Sequence, residues 1–327
     1  MRKHKHGKDL LFLGVILLLM LVMLYSGLQI LESTVLHKGS GETQVASKTI
    51  QRDGVAYFPR QDITVVMVLG IDREGPVADS GTYNNRGASD LDILLVFDEL
   101  QQTCSVLHLN RDTMLTMPVL GVGGRQAGTW YGQLALAHTY GSGLEDSCEN
   151  VRRTISDFLY GIRIDYYVAM NMDAIPILND AVGGVTVNIT DDFSRVDPTL
   201  TKGQVTLMGD QAETFVRTRK DVGDQLNLSR IERHKEYLDG FVEAFREKQE
   251  ADSEFVLDAY DPVAPYLVTD CSATVIHALV ERYGDYEITE VISPQGENVM
   301  GEEYFEFHVD EEKLDELILR LFYAPKE

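Results

Sequence analysis

The stretch ITVVMVLGID, residues 63–72, decides the fold. It is almost unbroken in apolar residues, rich in Val, and closed by a carboxylate. A strand with one wet face alternates apolar and polar residues, whereas a strand covered on both faces reads as a continuous run. The stretch therefore predicts a strand inside a sheet that is covered on both sides. DILLVFD (92–98) and CSVLHLN (104–110) read as two further strands, and the short polar link ELQQT between them suits a hairpin.

Working outward, REGPVADSGTYNNRGAS between the first two strands is dense in Gly, Asn and Ser and reads as a loop. RDTMLTMPVLGVGGRQAGTW, from Arg111, also reads as a loop. Helices are expected at 131–140 and 145–160, a strand at 166–171, a helix at 172–182 and a strand at 184–189. Gly203 and Gly209 mark turns before a helix at 209–219, and another helix is expected at 228–248. The tail predicts a helix at 272–283, strands at 287–292 and 304–309, and a final helix at 310–322. Strands and helices alternate throughout, which implies an α/β or α+β fold, a single sandwich domain.

The chain of 327 residues carries 29 Lys and Arg against 52 Asp and Glu, a formal net charge of -23. Such acidity argues against a broad nucleic-acid surface, which needs a basic footprint to displace counterions. The N-terminus is basic, with Arg2, Lys3, Lys5 and Lys8, and the apolar run Leu10–Ile30 follows. At about 1.5 Å per residue that run covers about 30 Å, one hydrocarbon core. It is too long for the apolar part of a cleaved signal peptide and predicts a signal anchor over 10–31, with the N-terminus cytoplasmic and the remainder outside. Cys104, Cys148 and Cys271 are an odd set without metal-ligand spacing. A Cys148–Cys271 disulfide is open on sequence grounds.

Three groups of residues suggest chemistry. Asp72 closes the first strand, and Asp90 and Asp92 open the second. If these strands pair antiparallel, Asp72 and Asp90 converge at one edge and suit a hard divalent cation that shares phosphate oxygens. Turn residues would read the same way. Arg111 and Asp112 emerge at the end of the third strand; Arg111 suits a phosphate, and a loop salt bridge fits the pair equally. RTRKDVGDQLNLSRIERHK (217–235) gathers Arg217, Arg219, Lys220, Arg230 and Arg233, with the last two on one helix face. Converging guanidinium groups bind phosphate well, because their fork matches its oxygens. A solvated charged helix pair is the other reading. Taken together, the three groups fit phosphoryl transfer from a diphosphate.

These segments, in order, resemble the LytR-CpsA-Psr family of cell-envelope proteins. VVMVLGID, GASDLDILLV, LHLNRDT, LALAHTYG, IDYYVAMNMDAIPILNDAVGGVTVNI, KGQVTLMGDQAETFVRTRK and SRIERHK each resemble a family element. The resemblance implies a single α-β-α sandwich with a mixed central sheet behind one N-terminal transmembrane helix. It implies residues 1–9 in the cytoplasm, an anchor at 10–31, an extracellular stalk at 32–60, a catalytic core at 61–250 and a C-terminal α/β extension at 251–327 packed on that core. The implied activity is a phosphotransferase moving a glycopolymer, of the teichoic acid or capsule kind, from an undecaprenyl-pyrophosphate carrier to peptidoglycan. A polyprenyl-diphosphate phosphatase and a non-catalytic lipid-binding protein are the alternatives. The implied cofactor is Mg²⁺ (or Mn²⁺) on Asp72 and Asp90. Pyrophosphate contacts fall to Arg111, Arg217, Arg219 and Arg230, with Lys220, Arg233 and His234 beside them, and Arg111 and Asp112 lie nearest the reacting phosphorus. The setting would be the plasma membrane of a Gram-positive-type bacterium. A lipid tail would run in an apolar tunnel, for which Phe158, Leu159, Ile175 and Leu178 are candidates. The sequence departs from the family at Gln133, where a Lys is usual, at Asn227, where an Asp is usual, and at His234, where the family closes with Gln.

Overall fold

A computed structural model of the protein describes residues 49–325, apart from position 122, positions 219–220 and a set of positions between 223 and 303. The anchor expected at 10–31 lies outside the described residues, and among the described residues no helix is long and apolar enough to cross a membrane.

Strands β1 (Ile50–Arg52) and β2 (Val55–Pro59) come first. β3 (Ile63–Ile71), β4 (Ser89–Asp98) and β5 (Thr103–Leu109) follow, then β6 (Met114–Leu120) and β7 (Gln126–Gln133). After a 3₁₀ segment (Leu134–Tyr140) and helix α1 (Glu145–Phe158) come β8 (Tyr166–Asn171), α2 (Ala174–Ala181), β9 (Val185–Ile189), β10 (Gly203–Leu207) and α3 (Asp210–Arg217). The tail supplies β11 (Leu267–Thr269), β12 (Glu287–Ile292), β13 (Gly296–Met300), β14 (Phe305–Val309), α4 (Glu311–Phe322) and β15 (Tyr323–Pro325).

The central sheet has the order β11-β8-β3-β4-β5-β12. β3 lies inside it, antiparallel to β4 and parallel to β8. β4 pairs antiparallel with β5, and β12 joins β5 in parallel, so the sheet is mixed. Side chains alternate across it. Val66 and Val68 share one face with Ile93, Leu95 and Phe97, and that face is covered by α2, β9, β10 and α3 through Leu178, Val185, Leu207 and Phe215. Val65, Met67 and Leu69 share the other face with Leu94 and Val96, beneath the 3₁₀ segment, α1 and α4. Both faces are dry, as the opening run requires. Each such side chain contributes about 1.5–3 kcal/mol relative to leaving it in water.

Several expectations are corrected. The segment from Arg111, expected as a loop, contains the β6–β7 hairpin. Its second strand is exposed along most of its length, so it carries no apolar alternation. The part of the expected stalk from residue 50 onward is folded: β1 and β2 form a hairpin, and β2 also pairs with β15. Its turn is Asp53-Gly54, both residues at positive φ, a strong short hairpin signal. The tail is more than an extension packed on a core, because β11 and β12 are the two edges of the central sheet itself. Short strands β10 and β13 were not foreseen. The helices expected at 228–248 and 272–283 fall partly outside the described residues.

Cys104, Cys148 and Cys271 are buried free thiols. Cys148 lies on one side of the sheet and Cys271 on the other, so the disulfide left open above is not formed. The four tunnel candidates divide the same way. Phe158 and Leu159 pack below the sheet, Ile175 and Leu178 above it, and one tunnel cannot be lined by all four.

Candidate active site

The site grows from the end of the β3–β4 ladder. Ile71 pairs with Ser89 and Gly70 with Leu91, so the extra residue on β4 is Asp90. A bulge bends its strand and re-aims the side chain it carries. Gly70 beside it leaves little room for a side chain: a Cβ there would stand 3.0 Å from Leu91 Cβ. One step on, Asp72 N donates to Ala88 O at 2.9 Å. Asp72 and Asp90 therefore leave the same end of one antiparallel pair, as expected from sequence.

Each carboxylate meets an arginine from another element. Arg217, at the end of α3, places Nη2 2.9 Å from Asp72 Oδ1 and Nη1 2.8 Å from Glu213 Oε1, with Glu74 at 3.4 Å. Arg111, just past β5, pairs with Asp90 through Nη1. Its Nε lies 3.5 Å from Asp112 Oδ1. Gln133 Nε2 donates to the same Asp112 oxygen at 2.8 Å and to Phe305 O at 2.9 Å. Phe307 N donates to Asp112 O at 2.8 Å, so β14 is sewn to the site on both sides of the Asp112 peptide.

The loop that delivers Asp90 is pinned from beneath. Asn85 Nδ2 donates to His138 O, Gly141 O and Ser147 Oγ, while Asn85 Oδ1 accepts from Gly87 N. His138 Nδ1 lies 2.7 Å from Gly87 O, and because a carbonyl only accepts, Nδ1 carries the hydrogen. Burial pushes His138 down to about 4, against the opposing pull of that hydrogen bond and of Asp146, so it stays neutral. Its place in the pocket floor is structural.

Asp92 lies below the site and is buried. Neither of its carboxylate oxygens has a hydrogen-bond partner of good geometry, nor does the nearby Ser89 Oγ. Burial raises Asp92 to about 8; Ser89 and Arg111 pull the other way, and the charge of Asp90 adds to the rise. The sequence placed Asp92 at the start of the strand without saying that it turns inward.

Arg233 is a correction. It is buried, and its guanidinium donates to Phe215 O at 3.0 Å, to Asp191 Oδ2 at 2.6 Å and to Thr218 O. Those bonds tie it to the end of α3 as a brace. Arg219, Lys220, Arg230 and His234 lie outside the described residues.

Two carboxylates at one strand end fit a hard divalent cation in part. Among the described residues no three His, Cys, Asp or Glu side chains gather as a metal group. A divalent cation held there would take two oxygen donors from the protein and the others from phosphate oxygens and water, as Mg²⁺ does at phosphate sites.

This architecture is shared with known structures. Bacillus subtilis TagT has a similar fold, with a TM-score of 0.55 at 23% identity, covering 84% of this chain and 96% of that one. A structure of TagT bound to LI-WTA gives a TM-score of 0.57 at 23% identity, covering 88% and 98%. At that identity the likeness is one of fold, a mixed α+β sandwich. The chain belongs to the LytR_cpsA_psr family, which matches residues 25–322. Among relatives, the polyisoprenyl-teichoic acid–peptidoglycan teichoic acid transferase TagU of Oceanobacillus iheyensis is 27% identical over 252 residues, covering 72% of this chain and 70% of that protein. The Bacillus subtilis protein of the same name is 26% identical over 196 residues, covering 60% of this chain and 56% of that protein. The matched part thus spans little more than half the length of the second relative.

Proposed function

We propose that this protein is a phosphotransferase that moves a glycopolymer from a polyprenyl-diphosphate carrier to peptidoglycan. The relatives' names support the transfer of teichoic acid to peptidoglycan. The observation that carries the chemistry is the paired arrangement Asp72–Arg217 and Asp90–Arg111 at one strand end.

Partner exchange explains how such a site works. Without substrate, Arg217 is held by Asp72, Glu213 and Glu74, and Arg111 by Asp90 and Asp112. A diphosphate arriving with a divalent cation brings charge of both signs, so the partners can be exchanged without stranding an ion. The arginines turn to phosphate oxygens, and Asp72 and Asp90 are the residues that would hold Mg²⁺. Bound there, the ion would draw charge from the phosphate oxygens. Arg219, Arg230 and Lys220 extend the cationic side in this reading. An acceptor hydroxyl attacks the phosphorus that bears the glycan. The new bond joins acceptor oxygen to phosphorus, the bridging P–O bond breaks, and polyprenyl phosphate leaves. We assign Asp112, oriented by Gln133, to receive the hydroxyl proton. The proposed anchor at 10–31 would keep the enzyme beside a lipid-borne substrate and raise its effective concentration.

The test is product analysis with the full chain in detergent, a labelled polyprenyl-diphosphate glycan, and peptidoglycan present or absent. Glycan joined to peptidoglycan in the wild type, and lost in Asp72→Ala, is the expected result. Release of free glycan phosphate at the same rate with and without acceptor would make the protein a phosphatase instead. No turnover of any carrier, with tight carrier binding, would overturn catalysis.

A further inference from the structure

The hairpins β6–β7 and β13–β14 meet at Asp112, and both expose apolar side chains there. Tyr131 is 56% exposed and lies on the strand face that carries Gln133, two residues from it. Phe305, whose carbonyl accepts from Gln133, is 60% exposed. Met300 stands directly opposite Phe305 in the β13–β14 ladder and is 62% exposed. Single exposed apolar residues are ordinary, but three of them on the two hairpins that meet beside one carboxylate suit a recognition surface.

We propose that Tyr131, Phe305 and Met300 form a ledge that docks the sugar rings of an uncharged glycan strand, the acceptor, and presents one of its hydroxyls at Asp112. The assignment rests on the transfer reading above and adds where its second substrate sits. Three observations favour a glycan. Aromatic faces suit the apolar C–H faces of pyranose rings, while Gln133 and Asp112 supply the polar contacts that a polyol needs. The ledge is continuous with the diphosphate site through the Gln133–Asp112–Arg111 chain, so an occupant is delivered to the reacting group. Charge disfavours an anionic bilayer as the occupant: the chain is strongly acidic, and the stretch from Gly296 to Val309 contains no Lys or Arg but carries Glu297, Glu302, Glu303 and Glu306.

The full chain in detergent is titrated with an N-acetylglucosamine hexamer by calorimetry. Saturable binding is expected, with affinity at least tenfold weaker in Tyr131→Ala and in Phe305→Ala. Leu100→Ala, at a 79% exposed apolar site in the β4–β5 turn, serves as the comparison and should bind as the wild type does. In transfer assays the two ledge variants should raise the acceptor concentration for half-maximal rate by a similar factor. No hexamer binding, or equal binding by all variants, overturns the proposal. In nanodiscs, strong quenching by brominated lipid of the Trp130→Phe, Tyr131→Trp double variant would show that the membrane covers this face, and would also overturn it. Hexamer binding that depends on Tyr131, in a protein that transfers nothing, would leave the ledge standing and sink the transfer reading.

Discussion

Arg217, the last residue of α3, reaches across to the end of β3 and holds Asp72 with Nη2 2.9 Å from Oδ1. Both side chains are half exposed, so the pair adds at most about 1 kcal/mol to stability. Its value lies in the geometry of the fork. Arg217→Lys keeps the charge and loses the fork. We expect transfer to fall by about tenfold or more, the effect of about 1.4 kcal/mol in the transition state, with the melting temperature nearly unchanged. Steady-state rates and a thermal melt on the same preparation check both halves.

Gln133 joins Asp112 to the β14 backbone, and it stands where relatives of this fold were expected to carry Lys. Gln133→Glu sets a carboxylate against Asp112 and removes both donated bonds. Transfer should fall about tenfold, with a stability loss of only about 0.5–1.5 kcal/mol, since water can reach both acceptors. Gln133→Lys restores a donor and should retain most of the activity. If Glu and Lys behave alike, Asp112 is not oriented by this residue.

Arg233 should matter for folding. Arg233→Met leaves Asp191, the buried Phe215 carbonyl and the Thr218 carbonyl without their donor. Breaking a buried ion pair in this way costs about 3–5 kcal/mol. Urea unfolding should show a loss of that size. A wild-type midpoint in this variant would return Arg233 to the surface.

The pH dependence of stability has a clear sign at His138. Its folded value, about 4, lies below the ordinary 6.5. Between those values the unfolded chain binds the proton and the folded chain does not, so stability falls as the medium is acidified. The contribution is fully present above about 6.5 and is lost as pH drops towards 4, by up to about 3 kcal/mol. His138→Asn keeps a donor near Gly87 O and removes the titration, so its denaturation midpoint should decline less steeply across that window.

The sheet was legible because burial on two faces leaves a mark that a single chain carries by itself. Ile63–Ile71 is apolar at nearly every position, and its neighbours on β4 and β5 follow suit. β7 left no such mark, since most of its side chains face water. The convergence of Asp72 and Asp90 was readable because antiparallel pairing fixes which strand ends meet. Arg233 was misread for an equally physical reason. Spacing of three from Arg230 says that two residues share a helix face, but not whether that face looks outward. Its partners, Asp191, Phe215 and Thr218, come from other parts of the chain, which helical spacing does not report.

The pairing of β2 with β15 has a consequence for reach. Arg60 N donates to Phe322 O at 2.9 Å, so the second and last described strands are fastened together just before β3 begins. Asp72 stands at the other end of β3, nine residues away, about 30 Å at the usual rise per residue. A tether attached upstream of β1 would hold the molecule by the end farthest from its chemistry. Were that tether the anchor proposed at 10–31, the domain would have to tilt for Asp72 to meet a headgroup of the same bilayer.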